Sequence, residues 1–207
     1  MKSYLRTILL SSGMLAVVIY LLHILIGGFL WKGYCHLQQP ISDLTATSAP
    51  NSGLMQLLTG IYGVLALLFA LAFTFFESKK HQKMVFIGGI FFIMLHVISI
   101  SYNFFPQDLT GSSATFAGTM HIIVTALIVP FTILTPILIG FGFIKNSKWK
   151  SFGKYSILTG ILILILGGIT AVFFMNKLPY FGLVERLNIG VLQIWTFCFS
   201  YKLSFKI

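Results

Sequence analysis

Three carboxylates, two histidines, an arginine and a carboxamide are the side chains of this sequence best suited to chemistry: Asp43, Asp108 and Glu185, His96 and His121, Arg186, and Asn103. An imidazole near carboxylates can serve general acid–base catalysis, so His121, Asp108 and Glu185 are the candidate catalytic groups. Arginine's planar fork suits a phosphate or carboxylate. With Asp43, Asp108, His121, Glu185, His96 and Asn103, Arg186 therefore forms a candidate ligand-binding set. His96, Ser99 and Asn103 recur at helical spacings of three and four, as do His121 with Thr125 and Glu185 with Asn188, so each helix can turn one polar stripe inward. Glu185 and Arg186 are neighbours, point about 100° apart on a helix and cannot satisfy each other. The expected partners are Asp43 or Asp108 for Arg186, and Lys32, Lys177 or His121 for Glu185. A structural reading competes: ion pairs tie the loops to the helices, and an aspartate followed by Leu and Thr caps a helix or a turn.

Recognised catalytic and phosphate-binding motifs are absent: HExxH, GxSxG, paired CxxC and the Walker sequence do not occur. The histidines are scattered and the acids lie far apart in sequence, so neither a metal nor another cofactor is expected. Cys35 and Cys198 fall on opposite sides of the expected bundle, which predicts no internal disulfide.

The elements that must position these groups are six apolar stretches, residues 8–31, 54–76, 84–105, 119–144, 155–175 and 183–201. Each is near the ~20 residues that cross ~30 Å of hydrocarbon. The first has a basic start but is too long for a signal peptide and lacks its small-residue cleavage site. The stretches predict an all-α, six-helix transmembrane bundle forming one domain over residues 1–207. His96 stands 12 residues from Met84, about 18 Å of helical rise, hence near mid-membrane, where an ionisable group is a functional candidate; the structural counterpart is a neutral histidine bridging two helices. Pro130 and Pro136 predict a bend in the fourth helix.

Charge orients the bundle. Lys2 and Arg6, then Lys79, Lys80 and Lys83, then Lys145, Lys148, Lys150 and Lys154, then Lys202 and Lys206 alternate with loops holding only Lys32, Lys177 and Arg186 against Asp43, Asp108 and Glu185. With Glu77 the one acid on the basic side, the whole formal charge of +10 belongs to that side. Both termini are therefore expected in the cytoplasm, and the basic rim to meet anionic lipids rather than nucleic acid. Twelve lysines against two arginines in an Ile- and Phe-rich chain suggest a bacterial plasma membrane protein.

An internal repeat is visible between the first and third loops. Residues 43–49 align without a gap on residues 108–114, and in the same register Gly53 and Met55 meet Gly118 and Met120. Gln56 then faces His121. A duplication would give two helical hairpins, each presenting one acid outside; convergent turn chemistry is the alternative.

At Ser42, Asp43 and Leu44, at Phe105, Pro106, Gln107 and Asp108, at His121, and from Gly182 to Arg186, the chain resembles the membrane family catalogued as domain of unknown function 998. The resemblance covers essentially the full length and implies that these residues belong to one site, without naming a substrate. A more distant analogy in layout is to the autophagy-modulator group of six-span proteins. The expectation is an extracytoplasmic polar pocket that binds or moves a lipid headgroup or small amphiphile, with membrane lipids as partners. The alternatives are an intramembrane hydrolase or transferase, and a non-catalytic assembly or regulatory subunit.

Overall fold

Long runs of Leu, Ile, Val and Phe broken by few charges form six helices in the computed structural model, which describes residues 2–78, 82–109 and 111–205. Lys79, Lys80, Thr110 and Lys206, which enter the charge and repeat arguments, lie outside the described residues, as does the side chain of Lys2. The helices are α1 (Lys2–Leu30), α2 (Ser52–Ala72), α3 (Lys83–Ile100), α4 (Phe116–Phe143), α5 (Lys150–Met175) and α6 (Phe181–Phe205). Each begins before its apolar stretch, because helix geometry continues into the polar flank, whereas α2 and α3 end at Ala72 and Ile100, short of residues 76 and 105 where their stretches end. α4 runs through Pro130 and Pro136 as one element.

Five helices, α1 to α5, are long and apolar enough to cross a membrane. α6 is as long at 25 residues but is the least apolar of the six, carrying Glu185, Arg186 and Lys202. No strand occurs among the described residues.

Each helix packs on its chain neighbours, and α6 closes on α1, so the six form a ring. The contact between α2 and α3 is the least extensive of the six. Neighbours run antiparallel. Arg6 at the start of α1 is ion-paired with Glu77 beyond the end of α2, and Ser11 donates to Ser204 near the end of α6 (3.1 Å). One end of the ring thus gathers Arg6, Lys83, Lys145, Lys148, Lys150, Lys154 and Lys202, and the other carries the first, third and fifth loops.

The centre of the basic half is filled by aromatic rings. Phe69 of α2, Phe73 just after it, Phe92 of α3, Phe143 of α4, Phe152 of α5 and Trp195 and Phe199 of α6 form one buried cluster. Phe73 and Phe199 sit 4.7 Å apart edge to face, and Phe69 and Phe92 5.5 Å apart, the arrangement favoured by ring quadrupoles. Trp195 Nε1 donates to Ser156 Oγ (2.8 Å), so this core leaves no indole N–H unpaired. Small residues let backbones touch where rings are absent: a Cβ on Gly140 of α4 would lie 2.7 Å from the carbonyl oxygen of Gly153 on α5. The end of α2 widens into a π turn, Phe73–Glu77. There Thr74 Oγ1 donates to Ala70 O (2.7 Å) and Ser78 Oγ to Thr74 O (2.6 Å), capping carbonyls near the widened turn.

Candidate functional site

At the loop-bearing end, the first loop is strapped to the start of α6. The first backbone N–H groups of a helix have no partner within it, and here the loop provides carbonyls: Gly182 N donates to Gln38 O (3.2 Å) and Leu183 N to Leu37 O (3.0 Å). Tyr180 N donates to Gln38 Oε1 (2.9 Å). Gly182 is required by this approach, since a Cβ would collide with the Gln39 carbonyl oxygen.

Glu185 and Arg186 complete the strap from adjacent positions. Arg186 Nη1 donates to Gln39 O and to Gly182 O, both at 2.8 Å, and Nη2 donates to the Tyr34 hydroxyl at 2.6 Å. Tyr34 in turn donates to Pro40 O (2.7 Å). Glu185 Oε2 accepts from Ile41 N (2.6 Å). The opposite charges expected as partners of these two residues are not the ones they take: the pair splits, as its 100° divergence on a helix requires, and both side chains grip the first loop, chiefly by its backbone. Burial pushes the Tyr34 hydroxyl up to about 12, against the opposing pull of Arg186. His36, with Nδ1 3.4 Å from Arg186 Nη2, is held below the ordinary imidazole value by burial and then by the guanidinium.

Held this way, the loop plugs the ring. Residues 41–45 form a 3-10 turn in which Ile41, Asp43 and Leu44 are buried. Leu44 and Met55 close over α1 at Gly27, where a Cβ would lie 2.7 Å from Met55 Sδ and 3.1 Å from Leu44 Cδ1.

Between this plug and the aromatic core lies a polar layer. Tyr20 and His23 of α1 (ring centroids 5.4 Å apart), Tyr62 of α2 (4.8 Å from Tyr20) and His96 of α3 (6.3 Å from Tyr62) form a chain of rings. Gln193 Nε2 of α6 donates to the Tyr62 hydroxyl (2.9 Å). His96 rests on Phe92, the top of the core, at 4.8 Å. His23, His96 and Gln193 are 1 %, 3 % and 5 % exposed, yet His23 Nε2, both ring nitrogens of His96 and Gln193 Oε1 have no hydrogen-bond partner among the described residues. An unpartnered buried polar group costs about 1–3 kcal/mol, so four in one layer is a concentration that packing alone does not explain.

The third loop makes a separate arrangement. Gln107 bridges the loops, accepting from Ser42 Oγ (2.6 Å) and donating to Asp43 Oδ1 (3.2 Å). Asp108 accepts from Thr115 N (2.8 Å) and Thr115 Oγ1 (2.7 Å), while Thr115 caps α4 by accepting from Gly118 N (3.1 Å). The Thr115 bonds hold Asp108 below the usual carboxylate range. His121 Nδ1 faces Phe105 O at 3.0 Å. A polar cavity of about 290 Å³ lies between Thr47 and Ser48 of the first loop and Asp108, Ser112, Ser113 and Thr115 of the third. The aligned loop segments differ in form: Asp43 is buried in a 3-10 turn, Asp108 half-buried in irregular backbone.

A groove of about 660 Å³ follows the outer face of α2, past Gly53, Gln56, Gly60, Ile61 and Val64, and reaches Asn103 beyond the end of α3. It lies beside the loosest seam of the ring. Asn103 Oδ1 accepts from Thr59 Oγ1 (3.0 Å), and its amide nitrogen has no partner among the described residues.

The anticipated site residues therefore fall into four places. Glu185 and Arg186 hold the strap; Asp43, Asp108 and His121 organise the loop contacts; His96 belongs to the polar layer; Asn103 ends the groove. Asp108 bonds to Thr115, His121 to Phe105 O and Glu185 to Ile41 N, so no hydrogen bond joins any two of the three candidate catalytic groups among the described residues. Among the described residues, no three or more His, Cys, Asp or Glu side chains group as metal ligands. Sequence reasoning passed over Tyr34, His36 and Gln39, which look like ordinary loop residues, and Tyr20 and Tyr62, whose signal was a hydroxyl-bearing ring on an otherwise aliphatic helix.

Comparison with known proteins finds a match to a family model described as "Protein of unknown function (DUF998)" over residues 14–202. No curated protein and no solved structure matches. Since that match spans nearly the whole chain, the protein belongs to the DUF998 family.

Proposed function

We propose that this membrane protein binds a lipid or small amphiphile from the bilayer leaflet at its loop-bearing end, the chain lying along α2 and the polar part meeting Asn103 and Gln56. The supporting observation is the groove of about 660 Å³ with carboxamides in its loop-ward part. From Gly53 to Leu65 it follows 12 residues of helix, about 18 Å of rise, close to the ~15 Å of hydrocarbon in one leaflet. Gln56 Nε2 is committed to Thr45 O (3.0 Å), which leaves its carbonyl oxygen and the Asn103 amide nitrogen as an acceptor and a donor for an ester or a headgroup. Charge asymmetry supports an extracytoplasmic position for this end, with α6 as a sixth span lying on the ring. The acid–base groups are occupied by backbone and by Thr115, which favours binding over hydrolysis.

The test uses the full chain in nanodiscs with a phospholipid that carries a photoreactive group at the end of one acyl chain. Crosslinks should concentrate on α2, and Gly60→Leu, which fills the groove, should reduce them several-fold. Equal labelling of every lipid-facing helix, unchanged by Gly60→Leu, overturns the proposal.

A further inference from the structure

The polar layer inside the ring is a second feature, on the opposite face of α2 from the groove. We infer that His23, Tyr62, His96 and Gln193 form an internal binding site for an uncharged hydroxyl-bearing group, between the first-loop plug and the aromatic core. The inference does not depend on the groove.

Its chemistry follows from counting donors and acceptors. His23 Nδ1 faces the Tyr20 carbonyl at 3.3 Å. A carbonyl only accepts, so in a neutral ring the proton sits on Nδ1 and Nε2 is left as a bare acceptor. Both nitrogens of His96 are unpartnered, which offers one donor and one acceptor. Gln193 gives its amide hydrogen to Tyr62, leaving Oε1 as an acceptor and freeing the Tyr62 hydrogen to donate. The layer therefore presents three acceptors and two donors from four helices. Hydroxyls both donate and accept and can meet such a set. A carboxylate or phosphate, which lacks hydrogens to give, faces three lone pairs. An ammonium, which only donates, faces two N–H or O–H hydrogens. His23, Tyr62, His96 and Gln193 themselves provide no formal charge to balance an ion.

The position supports a guest rather than a packing accident. His96 rests on Phe92 (4.8 Å), which meets Trp195 edge to face (5.6 Å) within the aromatic core. Above, Leu44 and Met55 close on Gly27 of α1, one turn beyond His23.

The experiment uses the full chain in an amine-oxide detergent, which has no hydroxyls, and three probes that share one chain: monooleoylglycerol, oleate and oleylamine. Monooleoylglycerol should bind at least tenfold more tightly than the other two by native mass spectrometry, and should move the side-chain 15N resonances of His23 and His96. His96→Phe and Gln193→Leu should each weaken it at least tenfold. Tyr62→Phe, which removes a single oxygen, serves the same purpose if either of those variants fails to fold. Gly60→Leu should leave this binding unchanged. Preference for oleate or oleylamine, or binding indifferent to His96→Phe and Tyr62→Phe, overturns the inference. So does an unchanged 15N spectrum with every probe, the sign of internal water only. Loss in Gly60→Leu with retention in His96→Phe would assign the probe to the groove and reject the internal site.

Discussion

Replacing Arg186 with Gln should release the first loop. The guanidinium makes two bonds across to that loop, to Gln39 O at 2.8 Å and to the Tyr34 hydroxyl at 2.6 Å, and lies 5.7 Å over the Tyr34 ring. Its third bond, to Gly182 O, stays within α6. Hydrogen bonds from a charged donor are worth about 1.5–3 kcal/mol each, and glutamine can restore one of the two, so the net loss is about 2–4 kcal/mol. For a chain of this size 1 kcal/mol shifts Tm by about 2–4 °C, which gives an expected drop of roughly 5–15 °C. Arg186→Lys, which keeps the charge but not the fork, should fall between wild type and Arg186→Gln. Lys32→Gln, at an exposed position of the same loop, should change Tm little. The measurement is thermal unfolding of the purified full chain in detergent, with limited proteolysis of the first loop as a local readout. Arg186→Gln unfolding within 2 °C (roughly 0.5–1 kcal/mol) of Lys32→Gln, and no faster cleavage in the first loop, would refute the strap.

Acidification should loosen the same strap. His36 binds protons more weakly folded than unfolded, so its contribution is complete above the ordinary value of 6.5 and is lost as pH falls below it; Tm should decline between about pH 7.5 and about pH 5, and His36→Gln should flatten that slope. Glu77→Gln leaves Arg6 partly buried without its ion-pair partner and should destabilise by about 2–4 kcal/mol, less when combined with Arg6→Gln in a double-mutant cycle. Gly140→Val forces apart α4 and α5, which touch backbone to backbone there, and should cost more than about 3 kcal/mol, read as lost monodisperse protein on gel filtration. Thr115→Ala removes the α4 cap and the hydroxyl bond to Asp108, leaving the backbone one, and should lower stability by about 1 kcal/mol in the same thermal assay.

The sequence by itself determined the all-helical class, the number of helices and the alternation of basic and near-neutral ends. These are one-dimensional properties: a run of about 20 apolar residues has few ways to satisfy its backbone except as a helix. It also determined that Glu185 and Arg186 must part company, because helical geometry separates neighbours wherever the helix lies. Their actual partners were decided by tertiary structure. Backbone carbonyls and amides carry no residue identity, so nothing in the letters of Gln39 or Ile41 announces that they receive Arg186 and Glu185. The two aspartates show the same limit. Their flanking residues align, yet Asp43 is buried against Gln107 while Asp108 turns back on Thr115, because the fold places one loop over the ring mouth and the other at its rim. His23, His96 and Gln193 were visible as polar residues within apolar helices, but only their convergence with Tyr20 and Tyr62 between plug and core makes them a layer. Ring closure sets which helix faces meet at one depth, and that depends on contacts between residues far apart in sequence, such as Ser11 with Ser204 and Tyr62 with Gln193, which helical periodicity, with a range of about one turn, does not reach.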